Sequence, residues 1–208
     1  MTAARAARTI RIGITGPIGC GKSQVAAWLG ERGALVVDAD RVARDVTAPG
    51  SRIHAAILRR FGAAVMGPAG TLDRAALGRL VFADPAALRD LEALVHPAVR
   101  PRILDAIAAA EAYDHPAVVI EAIKLVEGGL AGLCDEVWLV TCDPGAQLAR
   151  LSARGTPQDD ARQRIEAQAG LVDRLRPSAT RVIDTSGSEP ATRSGVDAAL
   201  DAALAGRG

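Results

Sequence analysis

Residues 9–24 read TIRIGITGPIGCGKSQ, an apolar run that empties into glycines and then reaches a lysine and a serine. Gly16, four further residues and Gly21-Lys22-Ser23 form the pattern G-x-x-x-x-G-K-[ST], whose meaning depends on its setting. Thr9–Thr15 is β-rich and predicts a buried strand. Behind the loop, KSQVAAWLGERG places Val25, Ala26, Trp28 and Leu29 on a helical repeat that Gly33 stops. Between a strand and a helix, Gly16, Gly19 and Gly21 let successive backbone N–H groups converge on a phosphate. The helix adds its positive N-terminal end. The pattern assigns Lys22 to the β- and γ-phosphates of a nucleoside triphosphate and the Ser23 hydroxyl to Mg²⁺.

The rest of the composition bounds what such a loop serves. With 208 residues the chain is long enough for one sizeable domain with an insertion, and a net charge of +1 gives no basic field for nucleic acid. No apolar run approaches the roughly 18–20 residues that span a bilayer. The N-terminal MTAARAAR leads into a segment too short and too charged for a secretory signal. Cys20, Cys134 and Cys142 show no metal-site spacing, and their odd number suits reduced thiols in a cytoplasmic protein. Among the basic residues only Lys22 and Lys124 are lysines, so each marks a position where a compact point charge is wanted. The chain contains no asparagine, which removes the N-K-x-D element by which GTPases read guanine.

Further strands are expected at Ala34–Asp40, Ala117–Ile123, Glu136–Cys142 and in TRVIDT. Helices are expected at Pro144–Ala153, about 160–174 and about 189–205, and Pro and Gly punctuate a helical block from Arg41 to about Glu111 into several pieces. Wholly apolar strands alternating with helices indicate an α/β fold with a five-stranded parallel sheet. Ligands collect at the carboxyl ends of such strands, toward which Asp38, Asp40, Glu121, Lys124 and Asp143 fall. Period-two alternation would put the carboxylates of Asp38 and Asp40 on one side, to bind Mg²⁺ or to take a proton from an attacking hydroxyl. Asp40 also suits the N-cap of a following helix.

GITGPIGCGKS, VVDAD-RVAR, LVHP (94–97), KLVE (124–127), ARG, RIEAQ and VIDTSGS, in this order and spacing, resemble the dephospho-CoA kinase family over nearly the whole chain. The resemblance implies ATP-dependent phosphorylation of the 3′-hydroxyl of dephospho-CoA, with Mg²⁺, by a single kinase domain, monomeric or a small homo-oligomer, without nucleic acid or membrane. It implies a core of residues 9–40 and 114–208, a substrate-binding helical insertion at about 41–112, and a lid at about 150–164. By the same resemblance Asp40 is the acid near the acceptor hydroxyl, and Asp38, Arg44, His96, Lys124 and Glu127 line the acceptor side. The adenine falls near Asp184–Gly187, with Gly16, Gly19, Cys20, Gly21, Lys22, Ser23 and Gln24 around the phosphates. Pro17, Cys20 and Gln24 replace residues usual in the family, and AIKLVE stands where PLL is common before the Leu-x-Glu.

A kinase lid needs arginines to neutralise the transferring phosphoryl group. Arg150, Arg154, Arg162 and Arg164 are available, and Arg154, beside Gly155, is the catalytic candidate. His54 and His115 read as surface residues, and Trp28 and Trp138 as core. The other readings left open are a kinase for a nucleoside monophosphate or a sugar acid, and a regulatory ATPase using Glu121 to polarise water.

Overall fold

The computed structural model describes residues 8–206, so the basic stretch 1–7 lies outside the described residues. Five strands, β1 (Ile10–Thr15), β2 (Leu35–Asp38), β3 (Ala117–Glu121), β4 (Glu136–Thr141) and β5 (Arg181–Asp184), form one parallel sheet in the order β2-β3-β1-β4-β5. The helices in chain order are α1 (Lys22–Glu31), α2 (Ala39–Val46), α3 (Arg52–Phe61), α4 (Arg74–Ala83), α5 (Pro85–Ala112), α6 (Pro144–Ala153), α7 (Gln158–Glu166), α8 (Leu171–Leu175) and α9 (Glu189–Ala205). The chain divides into two compact units, one holding the described residues up to Val37 and from Ala106 onward, the other Asp38–Asp105.

In the first unit β1, β3 and β4 are buried along most of their length, as their unbroken apolar composition requires of strands covered on both faces. Ile12, Ile14, Trp138 and Val140 form a core with Val25 and Leu29 of α1 and Val196 and Leu200 of α9. A second cluster joins Leu139 to Leu171 and Leu175 of α8. In the second unit Ile57 and Phe61 of α3 close on Leu77 and Val81 of α4, with Val65 and Ala87.

Several boundaries differ from those expected. β2 ends at Asp38 and Asp40 lies in the first turn of α2, so strand alternation does not relate the two carboxylates. Asp38 is itself the N-cap, accepting the Arg41 N–H at 2.8 Å, because a short carboxylate at that position satisfies a donor the helix leaves open. α5 runs unbroken through Pro97 and Pro101. The two prolines are four residues apart and exposed, so their missing N–H groups share one solvent-facing side. The single helix expected at about 160–174 is two: α7 ends at Glu166, and α8 starts after Gly170, whose left-handed φ of 69° turns the chain into it. His54 is buried rather than exposed, 7% accessible. His115 Nδ1 lies 2.8 Å from the Gly33 carbonyl oxygen and ties the two loops together.

One ion pair fastens β5 to the sheet edge. Glu136 receives Arg181 Nε at 2.6 Å and Nη2 at 3.0 Å, and Trp138 Nε1 at 2.6 Å. Burial pushes the Glu136 carboxyl up, but the hydrogen bonds from Arg181 and Trp138 outweigh it and hold the carboxyl below its ordinary value of 4.5. A lowered carboxyl adds stability above the unfolded-state value and loses it as pH falls through the folded one. Glu136→Gln is therefore expected to melt below the wild type at about pH 7. Thermal melts across pH should show that gap closing toward about pH 3.

Candidate active site

The phosphate loop leaves β1 at Gly16, where φ is 140° and a Cβ would stand 2.1 Å from the Val140 carbonyl oxygen of β4. Only glycine fits there, because the clash is with backbone that cannot rotate away. The loop ends at Gly21, in the left-handed region at φ 85°, which turns the chain into α1. Lys22, 8% exposed, donates from Nζ to the carbonyl oxygens of Gly16 at 2.9 Å and Pro17 at 3.0 Å. The ammonium is thus held over the start of the loop, next to the first turn of α1. Pro17, which donates no N–H, contributes a carbonyl oxygen to this arrangement.

Ser23 is exposed and donates its hydroxyl to Glu121 Oε1 at 2.7 Å. Glu121 ends β3 and is in register with Ile14 of β1, so the parallel pairing alone sets the acid beside the loop. A hydroxyl and a carboxylate are hard oxygen donors. Mg²⁺ is commonly held by one or two such groups with substrate phosphates and water, so this pair fits the ion. Ser23 was legible from the loop pattern and Glu121 as a strand-end acid, but the hydrogen bond that pairs them was not.

Other side chains brace the loop from outside. Ile18 donates its N–H to Gln168 Oε1 at 2.8 Å, and its carbonyl oxygen accepts from Gln147 Nε2 at 2.7 Å. Thr185, buried just past β5, donates to the Cys20 carbonyl oxygen at 2.8 Å, and its hydroxyl oxygen accepts from Arg150 Nη1 at 2.8 Å. Arg150 Nη2 also reaches the Thr185 carbonyl oxygen at 2.6 Å. One hydroxyl therefore couples the loop to an arginine of α6. Sequence reasoning missed Thr185 and Gln168, which belong to the VIDTSGS and RIEAQ motifs but carry no chemistry that marks them. A cavity of about 260 Å³ opens here, lined by Gly21, Gln24, Trp28, Arg150, Arg154 and Gly187 among others. Arg162 and Arg164 are exposed on α7. Asp184 accepts the Ser186 hydroxyl at 2.6 Å and its N–H at 2.9 Å, which hold its carboxyl below the usual range and shape the turn bearing Gly187. Asp143 caps α6 by accepting the Ala146 N–H at 2.8 Å.

Cys20 and Cys142 are not separate thiols but a disulfide, with Cα atoms 5.2 Å apart. The cause is topological: β4 pairs directly with β1, which brings the residue after β4 beside the loop after β1. Cys134 is the free thiol among the described residues; burial, aided by Asp135 and opposed by Arg11, pushes it up to about 12.

Lys124 and Glu127 are exposed in the turn after β3, where the Gly128 N–H binds the Lys124 carbonyl oxygen at 2.8 Å. Lys124 thus stands three residues past the strand end. The second unit carries the other acceptor-side candidates. Asp38 pairs with Arg44 at 3.4 Å, Asp40 follows in α2, and His96 is half-buried on α5 ahead of Pro97. Arg74, not singled out from the sequence, donates to Thr47 Oγ1 at 2.9 Å and to the Arg44 carbonyl oxygen at 3.3 Å. Burial and then the charge of Arg44 push its guanidinium below its ordinary value.

The sequence model of the dephospho-CoA kinase family matches residues 10–190. The chain belongs to that family. Among dephospho-CoA kinases, that of Symbiobacterium thermophilum is 46% identical over 198 residues, covering 95% of this chain and 82% of the relative. TT1252 from Thermus thermophilus superposes with a TM-score of 0.77 at 37% identity, covering 95% of this chain and 97% of that one. The dephospho-CoA kinase of Campylobacter jejuni gives 0.67 at 21% identity, covering 95% and 98% respectively, a likeness of fold. Against this family's loop, Thr185→Val should weaken ATP binding about tenfold in calorimetry, since it removes one neutral and one charge-assisted hydrogen bond. Thr185→Ser, which keeps the hydroxyl, should bind nearly as the wild type does.

Proposed function

We propose that the protein transfers the γ-phosphoryl group of ATP to the 3′-hydroxyl of the dephospho-CoA ribose, releasing ADP and coenzyme A. What carries this reading is a fully built phosphate loop within a chain whose likeness to a dephospho-CoA kinase extends over 95% of its length. Lys22 and the loop amides, Gly16, Gly19, Cys20 and Gly21 among them, hold the β- and γ-phosphates. The nucleotide base lies in the cavity by Gln24, Asp184 and Gly187. Ser23 and Glu121 hold Mg²⁺, which supplies charge neutralisation for the phosphates. Arg154, with Arg150 behind it, neutralises the equatorial oxygens as charge spreads onto them. Residues 150–164 act as the lid that excludes water during transfer, so that the ribose rather than water accepts the phosphoryl group.

Asp40 orients the 3′-hydroxyl and takes its proton, so the oxygen attacks phosphorus as the bond to the β-phosphate oxygen breaks. Asp38, Arg44, His96, Lys124 and Glu127 bind dephospho-CoA, and Arg74 joins Arg44 on its phosphates. Residues 41–112 are the acceptor-binding insertion on a core of 9–40 and 114–208. The enzyme works in the cytoplasm as a monomer or small homo-oligomer; among the described residues no helix is long and apolar enough to cross a membrane.

ATP consumption measured with dephospho-CoA, AMP, CMP and gluconate should appear with dephospho-CoA alone. Acceptor-independent hydrolysis, or preference for another acceptor, would overturn the assignment. Asp40→Asn is expected to lower kcat by about 10²–10⁴-fold while ATP affinity stays near wild type. Undiminished turnover would remove Asp40 from this role. Glu121→Gln should raise the Mg²⁺ concentration needed for half-maximal rate, read from a Mg²⁺ titration at fixed ATP.

A further inference from the structure

Cys20 is the fifth residue of the loop that opens at Gly16, and Cys142 follows the last residue of β4, 122 positions later in the chain. Their Cα separation of 5.2 Å lies inside the window of about 4.4–6.8 Å that a disulfide spans without backbone movement. Cys20 is 1% exposed and its side chain faces the core with Val25, Trp28 and Val140, while Cys142 is half-buried against the same cluster. The bond therefore lies on the core side of the loop. In the same segment, the Cys20 carbonyl oxygen accepts from Thr185, and Lys22 donates to the carbonyl oxygens of Gly16 and Pro17. Phosphate-binding groups and cystine share one short segment of backbone.

We propose that Cys20–Cys142 is a reversible modification site that sets how tightly the phosphate loop binds ATP. Oxidised, the loop is pinned to the end of β4 and is already ordered before nucleotide arrives. Reduced, it must lose that freedom on binding and binds more weakly. Fixing one residue's backbone costs conformational entropy, which sets the expected difference at about five- to thirtyfold in Kd, equivalent to about 1–2 kcal/mol. The proposal rests on the nucleotide reading of the loop.

The chemistry is thiol–disulfide exchange with a low-molecular-weight disulfide such as oxidised glutathione. Cys142, the more accessible sulfur, attacks as thiolate and expels one glutathione thiolate, leaving a mixed disulfide. Cys20 then attacks the Cys142 sulfur and expels the second. Two protein S–H bonds and the S–S bond of the oxidant are lost. One protein S–S bond forms, and two electrons and two protons end on two glutathione thiols. Cys134 stays out of the exchange: burial, with a thiol pushed up to about 12, leaves it almost no thiolate.

The test equilibrates the full chain in glutathione buffers from reducing to oxidising, counts thiols by alkylation and mass spectrometry, and measures ATP binding in Mg²⁺ at each poise by calorimetry. Free thiols should fall from three to one, with one linked peptide pair joining Cys20 to Cys142. Kd should tighten about five- to thirtyfold in step with that loss. Cys142→Ser should keep the reduced-state affinity at every poise. Thiols that never pair, pairing through Cys134, equal or weaker binding in the oxidised protein, or a Cys142→Ser variant that still responds would each overturn the proposal. A melting temperature that rises on oxidation with no change in Kd would overturn it too, since that marks a structural brace only. Absence of ATP binding in both states would overturn the nucleotide reading and this proposal with it, whereas unpaired thiols overturn the cystine alone.

Discussion

The site depends on one close approach, the backbone of Gly16 against the carbonyl of Val140. No side chain fits between them, so the loop leaves β1 pressed onto β4 instead of spreading outward. That contact places Cys20 beside Cys142 and the Cys20 carbonyl within reach of Thr185, and it sets Lys22 to fold back over Gly16 and Pro17. The parallel register of β1 with β3 then delivers Glu121 to Ser23 from the other side. A phosphate-binding loop is in this sense a property of three adjacent strands, with the glycines permitting what the sheet imposes.

The strands and the loop were legible because burial on both faces demands unbroken apolar runs, and because Gly16, Gly21, Lys22 and Ser23 have few chemical substitutes. The expected helix at Pro144–Ala153 matches α6 because Asp143 and Pro144 announce its start in a local code. Misjudgements came where a non-local contact or a local competition decided. Asp38 and Asp40 follow strand spacing, yet a carboxylate cap starts α2 two residues early. Pro97 and Pro101 look like breaks, but at helical spacing on an exposed side they interrupt nothing that packs.

The supporting shell of the loop was the least legible part. Gln147 and Gln168 each act through one hydrogen bond to a backbone atom more than a hundred positions away, and Thr185 bonds such an atom as well as the Arg150 side chain. Nothing in their own neighbourhood distinguishes them from surface polar residues. The Cys20–Cys142 pair has the same character, since spacing along the chain carries no information about which loops a parallel sheet brings together. His54 sits among alanines and arginines in sequence, which hides that its face of α3 turns inward.

The two tryptophans of the chain end in unlike surroundings. Trp138 is fully enclosed, its indole N–H spent on Glu136, while Trp28 borders the cavity beside Gly21 and Gln24. The molecule thereby contains its own optical gauge. Emission from Trp28 is expected to shift when an occupant fills that space, with Trp138 as a steady background, so occupancy can be followed without any label.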